Sequence, residues 1–258
     1  MITIEVLITI DDHQPWDIYA AQSILSQEGD FGLECQLFQF DGCDDSTVKF
    51  SECFEQAGFT TPRFSRHSSD QIVSQILKAA KSSSADFVAF TQGNFLYTDF
   101  RRLEYLVKEI DANQADFSWH PILIRGVTKQ NIYPSLVSSG WGVDNPEWNY
   151  LPVQSLVVSS KILRSCPIEN DSLYLVEFLN WLTKNSRGVF VPKVLGILQN
   201  SAGRGKRHFS VGDIRSQMKN FAQTYGRAID LSSEWDFLID SGSITQNDLE
   251  AMGLCILD

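Results

Sequence analysis

The chain has 258 residues, 43% of them hydrophobic, and a formal net charge of −11. That length and apolar content suffice for one large core, or for a domain with an appendage. The acidic balance excludes a nucleic-acid backbone or an anionic membrane as the main partner, because both demand a basic face.

In chain order, Ile2, Ile4, Val6, Ile8 and Ile10 alternate at the N-terminus, without a basic leader or cleavage site. No apolar run reaches the length that spans a bilayer, so a cytoplasmic protein without a transmembrane segment is expected. Cys35, Cys43, Cys53, Cys166 and Cys255 are odd in number and lack CxxC spacing, which fits a reduced interior and no metal framework. Strand patterns at Ile2–Ile10, Leu33–Phe40 and Asp86–Thr91 alternate with helical patterns at Trp16–Ser26, Ser69–Lys81 and Asp99–Ile110. Such βαβαβα order predicts a mostly parallel sheet flanked by helices, joined by right-handed crossovers.

The stretch around β-type Phe87–Phe90 is the most informative. Its apolar residues run almost unbroken, as in a strand covered on both faces, while Phe100, Leu103, Leu106, Val107 and Ile110 recur at helical spacing. Asp99 is expected to cap that helix. Gln92-Gly93-Asn94 then falls at the carboxyl end of a central strand, where open α/β sheets bind ligands. Further on, a loop over Ser138–Pro152 carries Trp141, Trp148 and Tyr150; strand patterns at Gln154–Ser159 and Gly188–Val191 flank a helical one at Ser172–Lys184. From Ser210 the character changes. Ser210 with Asp213, and Thr245 with Asp248, read as capping boxes opening helices. The expected organisation is a domain over residues 1–209 and a helical C-terminal appendage over 210–258, the latter a surface for a protein partner.

Taken together, these pieces resemble the family 2 glycosyltransferases of the GT-A fold over roughly residues 1–200. Thr9-Ile10-Asp11-Asp12 stands where that family ends its first strand in Pro-Thr-Tyr-Asn, and Ser23-Ile24-Leu25-Ser26-Gln27 matches its Ser-x-x-x-Gln. Asp41-Gly42 aligns with the second aspartate and the glycine of its Asp-Asp-Gly-Ser turn. Gln92-Gly93-Asn94 falls on its metal-binding Asp-x-Asp, with both carboxylates missing. Pro192-Lys193-Val194-Leu195 matches its Val-Pro-x-Val-Leu segment, and Glu169-Asn170-Asp171 lies about twenty residues upstream, where the family carries its catalytic Glu-Asp.

The resemblance implies a Rossmann-like GT-A domain that moves a sugar from a nucleoside-diphosphate donor to a glycan or lipid-linked acceptor, by inversion, as in polysaccharide biosynthesis. Thr9, Asp12, Asp41, Gln92 and Asn94 would hold the nucleotide. Asp171, with Glu169 second, would be the general base on the acceptor hydroxyl; the same Asp171 also reads as a helix N-cap. Arg204, Lys206 and Arg207 form a basic loop in an acidic chain, either a diphosphate site or a solvated surface. Trp141 and Trp148 would stack on the acceptor or pin their loop to the core. Neutral amides offset little of a hard cation's dehydration, so no metal site is expected beyond weak Mn²⁺ or Mg²⁺ binding. The alternative is a non-catalytic relative that keeps the fold as a binding or assembly partner.

Overall fold

The computed structural model describes residues 1–10, 17–40, 51–56, 63–67, 71–127, 132–137, 152–167 and 175–200. In chain order the elements are β1 (Ile2–Ile10), α1 (Asp17–Leu25), β2 (Phe31–Phe40), α2 (residues 51–56), β3 (Arg63–His67), α3 (Ile72–Ser82), β4 (Phe87–Gln92), β5 (Phe95–Tyr97) and α4 (Arg102–Asn113). There follow β6 (Phe117–Trp119), β7 (Ile122–Val127), β8 (Ile132–Val137), β9 (Val157–Ser159), α5 (Ser160–Arg164), α6 (Leu175–Asn185), β10 (Gly188–Phe190) and β11 (Gly196–Asn200).

Seven strands form the main sheet in the order β10-β6-β9-β4-β1-β2-β3. β1 pairs in parallel with β2 and β4, β2 with β3, and β6 with β10. β9 alone runs antiparallel, wedged between β4 and β6. A smaller sheet, ordered β5-β11-β7-β8, stands beside it. The expected α/β architecture, a mostly parallel sheet flanked by helices, is what the chain adopts.

The strand sequences explain the layering. Ile4, Val6, Ile8 and Ile10 of β1 project to one face, where Ala20, Ala21 and Ile24 of α1 and Leu103, Leu106, Val107 and Ile110 of α4 cover them. Leu7 projects to the other face with Val88 and Phe90 of β4, under Ile72, Ile76 and Leu77 of α3 and Phe178, Leu179 and Leu182 of α6. Alternation in a doubly covered sheet therefore feeds two cores at once, which is why the interior strands read as nearly continuous apolar runs.

Three expectations need correction. The helix after β4 begins at Arg102 rather than Asp99, because Asp99 Oδ1 accepts the Arg101 amide at 2.8 Å and its carbonyl accepts the Arg102 amide at 3.2 Å, closing a turn first. Phe100 lies in that turn and is 55% exposed, so it leaves the apolar stripe assigned to it. The strand expected at Gln154–Ser159 is shorter: Val153–Ser155 form a 3-10 turn, tied by the Ser155 amide to the Pro152 carbonyl at 2.8 Å, and only Val157–Ser159 pair. The predicted C-terminal appendage, residues 210–258, lies outside the described residues.

Candidate functional site

The carboxyl ends of β1 and β4 meet in register, with Thr9 opposite Gln92. Two further bonds lock them. The Gly93 amide donates to the Thr9 carbonyl at 2.8 Å, and Thr9 Oγ1 donates to the Thr91 carbonyl at 3.2 Å. Gly93 and Asn94 then reverse the chain into β5, which joins the second sheet against β11. The Gln92-Gly93-Asn94 turn is thus held at the mouth of the sheet, with Gln92 and Asn94 both half-buried.

From below, the Ser23/Gln27 pair clamps this turn to α1. Ser23 Oγ accepts the Tyr97 amide at 3.0 Å and donates to the Ala20 carbonyl at 2.7 Å. Gln27 Oε1 accepts the Leu103 amide at 3.1 Å, while its Nε2 donates to the Asp99 carbonyl at 2.8 Å. Gln27 therefore satisfies one of the orphan amides at the start of α4, a cap supplied from the segment just past α1. Asp99, the carboxylate next in sequence to the turn, is already engaged: its Oδ2 receives Lys193 Nζ at 2.7 Å, and that ammonium stands 4.7 Å from the Tyr105 ring centroid. Lys193 belongs to the Pro192–Leu195 segment, so this segment straps the turn, and the Thr98 amide adds a bond to the Leu195 carbonyl at 3.3 Å.

Behind the turn lies a group that the sequence reading did not single out. Arg102, fully buried, donates Nε–H to His120 Nε2 at 3.0 Å and Nη2–H to the Gln154 carbonyl at 2.8 Å, with its Cζ 4.0 Å from the Tyr97 ring centroid and 5.7 Å from that of Phe95. A guanidinium can only donate, so His120 Nε2 must accept and Nδ1 must carry the proton. Nδ1–H then donates to the Pro121 carbonyl at 2.7 Å, and the Leu195 amide, 3.3 Å from Nδ1, finds no lone pair there. Burial, and then the Arg102 charge, push the His120 imidazole well below its usual range, which keeps it neutral. Burial pulls the Arg102 guanidinium down and pushes the Tyr97 phenol up, so both shifts disfavour charge, although arginine stays protonated. The sequence did hold a signal: Arg102 is four residues before Leu106 and eight before Ile110, on the apolar stripe of α4.

Of the predicted site residues, the structure brings Thr9, Gln92 and Asn94 together at the strand ends. Asp12, Asp41, Trp141, Trp148, Glu169, Asp171, Arg204, Lys206 and Arg207 lie outside the described residues. Among the described residues no three His, Cys, Asp or Glu side chains converge as a metal cluster, and no helix is long and apolar enough to cross a membrane.

No family model matches the chain, and neither does any curated protein. Solved structures do. S. aureus TarS, residues 1–349 in complex with UDP-GlcNAc, superposes with a TM-score of 0.54 at 15% identity, over 99% of this chain and 77% of that one. The same TarS segment with UDP gives 0.52 at 14%, over 99% and 76%. A longer TarS structure gives 0.50 at 15%, over 96% of this chain and 43% of TarS. At such identities the likeness establishes the fold, which is glycosyltransferase-like and of the GT-A kind.

Proposed function

We propose that the chain is a glycosyltransferase that binds a nucleoside-diphosphate sugar across the carboxyl edge of its main sheet and transfers the sugar, with inversion, to a glycan or lipid-linked acceptor. The observation that carries this reading is the convergence of Thr9 and the Gln92-Gly93-Asn94 turn at that edge, in a fold shared with TarS structures solved with UDP-GlcNAc and with UDP. Ligands of open α/β sheets bind where strand ends diverge, and here the β1/β4 pair is that point.

In the proposed chemistry Asp12 and Asp41 accept hydrogen bonds from the base and ribose. Asp171, with Glu169 the second candidate for this role, takes the proton from the acceptor hydroxyl as it attacks the anomeric carbon opposite the leaving diphosphate. Trp141 and Trp148 hold the acceptor sugar by stacking. The residues at the turn do not suit a hard divalent cation: Gln92 and Asn94 bring no charge, and Asp99 is bound to Lys193. Arg204, Lys206 and Arg207 take that place by neutralising the diphosphate through charge-assisted hydrogen bonds. Residues 1–209 form the transferase domain and 210–258 a helical appendage that docks a protein partner.

The same neutral turn favours a second reading, in which the fold serves only as a binding or assembly partner. Calorimetric titration with UDP and other nucleoside diphosphates, with Mn²⁺ and with chelator, separates the two. The transferase reading expects binding that is indifferent to chelator and weakened by Asp41→Ala; no binding at millimolar nucleotide overturns it.

A further inference from the structure

Arg102 is an expensive residue to place in a core. Replacing a buried ion by an apolar side chain of similar volume is often neutral or stabilising, so stability alone does not explain the charge. What arginine offers instead is a planar fork of donors whose directions are fixed relative to one another. The fork ends on different segments. Nε–H reaches His120 Nε2 at 3.0 Å, just ahead of β7 in the second sheet, and Nη2–H reaches the Gln154 carbonyl at 2.8 Å, in the Val153–Ser155 turn. Its Cζ lies 4.0 Å from the Tyr97 ring centroid in β5, and the Tyr97 phenol shares side-chain hydrogen bonds with Arg102 and with Thr91, the residue before Gln92.

Arg102 therefore stands between two pieces of chain at the mouth of the sheet. On one side Thr91 and Tyr97 bracket the Gln92–Asn94 turn, whose Gly93 amide is bonded to the Thr9 carbonyl at 2.8 Å. On the other, the Val153–Ser155 turn is closed by the Ser155 amide on the Pro152 carbonyl at 2.8 Å, and the Leu156 carbonyl after it accepts the Phe90 amide at 3.3 Å. That last bond ties the second turn to β4, the near arm of the reversal; Arg102 ties it to β5, the far arm. Thr91, Tyr97, Arg102, His120 and Gln154 are all buried, in an interior where a displaced polar group is costly.

We propose that Arg102 is a positioning residue that couples the Gln92–Asn94 turn to the Val153–Ser155 turn, so that a ligand ordering one orders the other. Its use, bringing the second turn into place once a donor is seated against the first, rests on the transferase reading; the coupling itself does not.

Amide hydrogen exchange of the full chain, read by NMR without ligand, tests the coupling. Tyr97→Phe removes one hydroxyl on the side of the first turn. It should speed exchange of the Gly93 amide by roughly tenfold, and by about threefold that of the Ser155 amide, to which Tyr97 is not bonded. The β1–β2 ladder should not move. Arg102→Met, which keeps the bulk and loses the fork, should speed both amides together; Arg102→Lys should not rescue them, because an ammonium has no fork. A Ser155 rate unchanged in Tyr97→Phe overturns the proposal even where Arg102→Met fails to fold. So does rescue by lysine, or an equal acceleration throughout the β1–β2 ladder, which marks a global loss of stability. Added UDP should slow the Ser155 amide in the unaltered chain and slow it less in Tyr97→Phe; UDP that slows Gly93 alone overturns the ordering of one turn by the other. A chain that binds no UDP defeats the transferase reading and leaves the coupling to be decided by the exchange rates.

Discussion

At the amino edge of the main sheet, Asp86 and Asp116 open β4 and β6 with their carboxylates already spent on the backbone of neighbouring strands. Asp86 Oδ2 accepts the Thr3 amide at 2.8 Å and the Thr3 hydroxyl at 3.0 Å; Asp116 Oδ2 accepts the Arg187 amide at 2.9 Å. Their main chains bind the far end of β9, through Ser160 to the Asp86 carbonyl and Ser159 to the Asp116 carbonyl. An open groove of about 450 Å³ lies there, lined by Asp86 and Asp111 and by Lys161 and Arg164. At the carboxyl edge the turn amides are half-buried, and the polar side chains behind them, Thr91, Tyr97, Arg102 and His120, lean on one another and on backbone carbonyls rather than on charged partners. Charged side chains tie strand starts to their neighbours at one edge; at the other, a neutral turn is left facing the mouth of the sheet.

The comparison is broken most forcefully by chemistry. Under the transferase reading, Asp171→Asn should lower turnover by roughly 10²–10⁴-fold and leave donor affinity in place, because a general base acts in the transition state and Asn caps a helix about as well as Asp. Asp86→Ala, at the other edge, should leave turnover unchanged; equal turnover in the two variants would remove the functional distinction between the edges.

Next in size is the clamp under the turn. Gln27→Ala leaves the Leu103 amide and the Asp99 carbonyl without their partner and should cost about 1–3 kcal/mol in denaturant unfolding. An unchanged midpoint would mean that water replaces the side chain freely.

Acid sharpens the contrast further. Because the folded His120 titrates below its unfolded value near 6.5, the native state binds fewer protons than the unfolded chain in that window. Stability is then complete above about pH 6.5 and falls as pH drops below it towards the folded value. A His120→Gln variant should flatten this limb of the pH–stability profile, and an unaltered profile would place the titration elsewhere.

The smallest effect is expected from Asp86→Ala itself. Its bonds to Thr3 are exposed, so a loss of about 0.5–1.5 kcal/mol is anticipated by the same unfolding measurement.

How much of this could be read from residues alone depends on what each segment must satisfy. β1 and β2 alternate over nine and ten residues and β4 is apolar almost throughout, and their pattern survives any detail of pairing. β5 and β6 are three residues each, too short for periodicity to register, and β7, β8 and β11 depend on pairing in a second sheet, which is a long-range fact. The reversal of β9 is likewise a matter of partner rather than of pattern. At the site, Thr9, Gln92 and Asn94 were visible because polar residues end an apolar strand. Arg102 was not, since an arginine at the start of an amphipathic helix ordinarily faces water, and only the chain passing through His120 and Gln154 encloses it. Ser23 and Gln27 form a legible motif, but their purpose, a cap lent to α4 from the end of α1, appears only with the tertiary contact.

The reversed strand β9 has a consequence for how the molecule can change. Running against its neighbours, it starts towards the edge where they end, so the 3-10 turn Val153–Ser155 that precedes it stands at the mouth of the sheet, against the end of β4. A change of side chain in that turn reshapes the mouth while the registers of β4, β9 and β6 stay as they are.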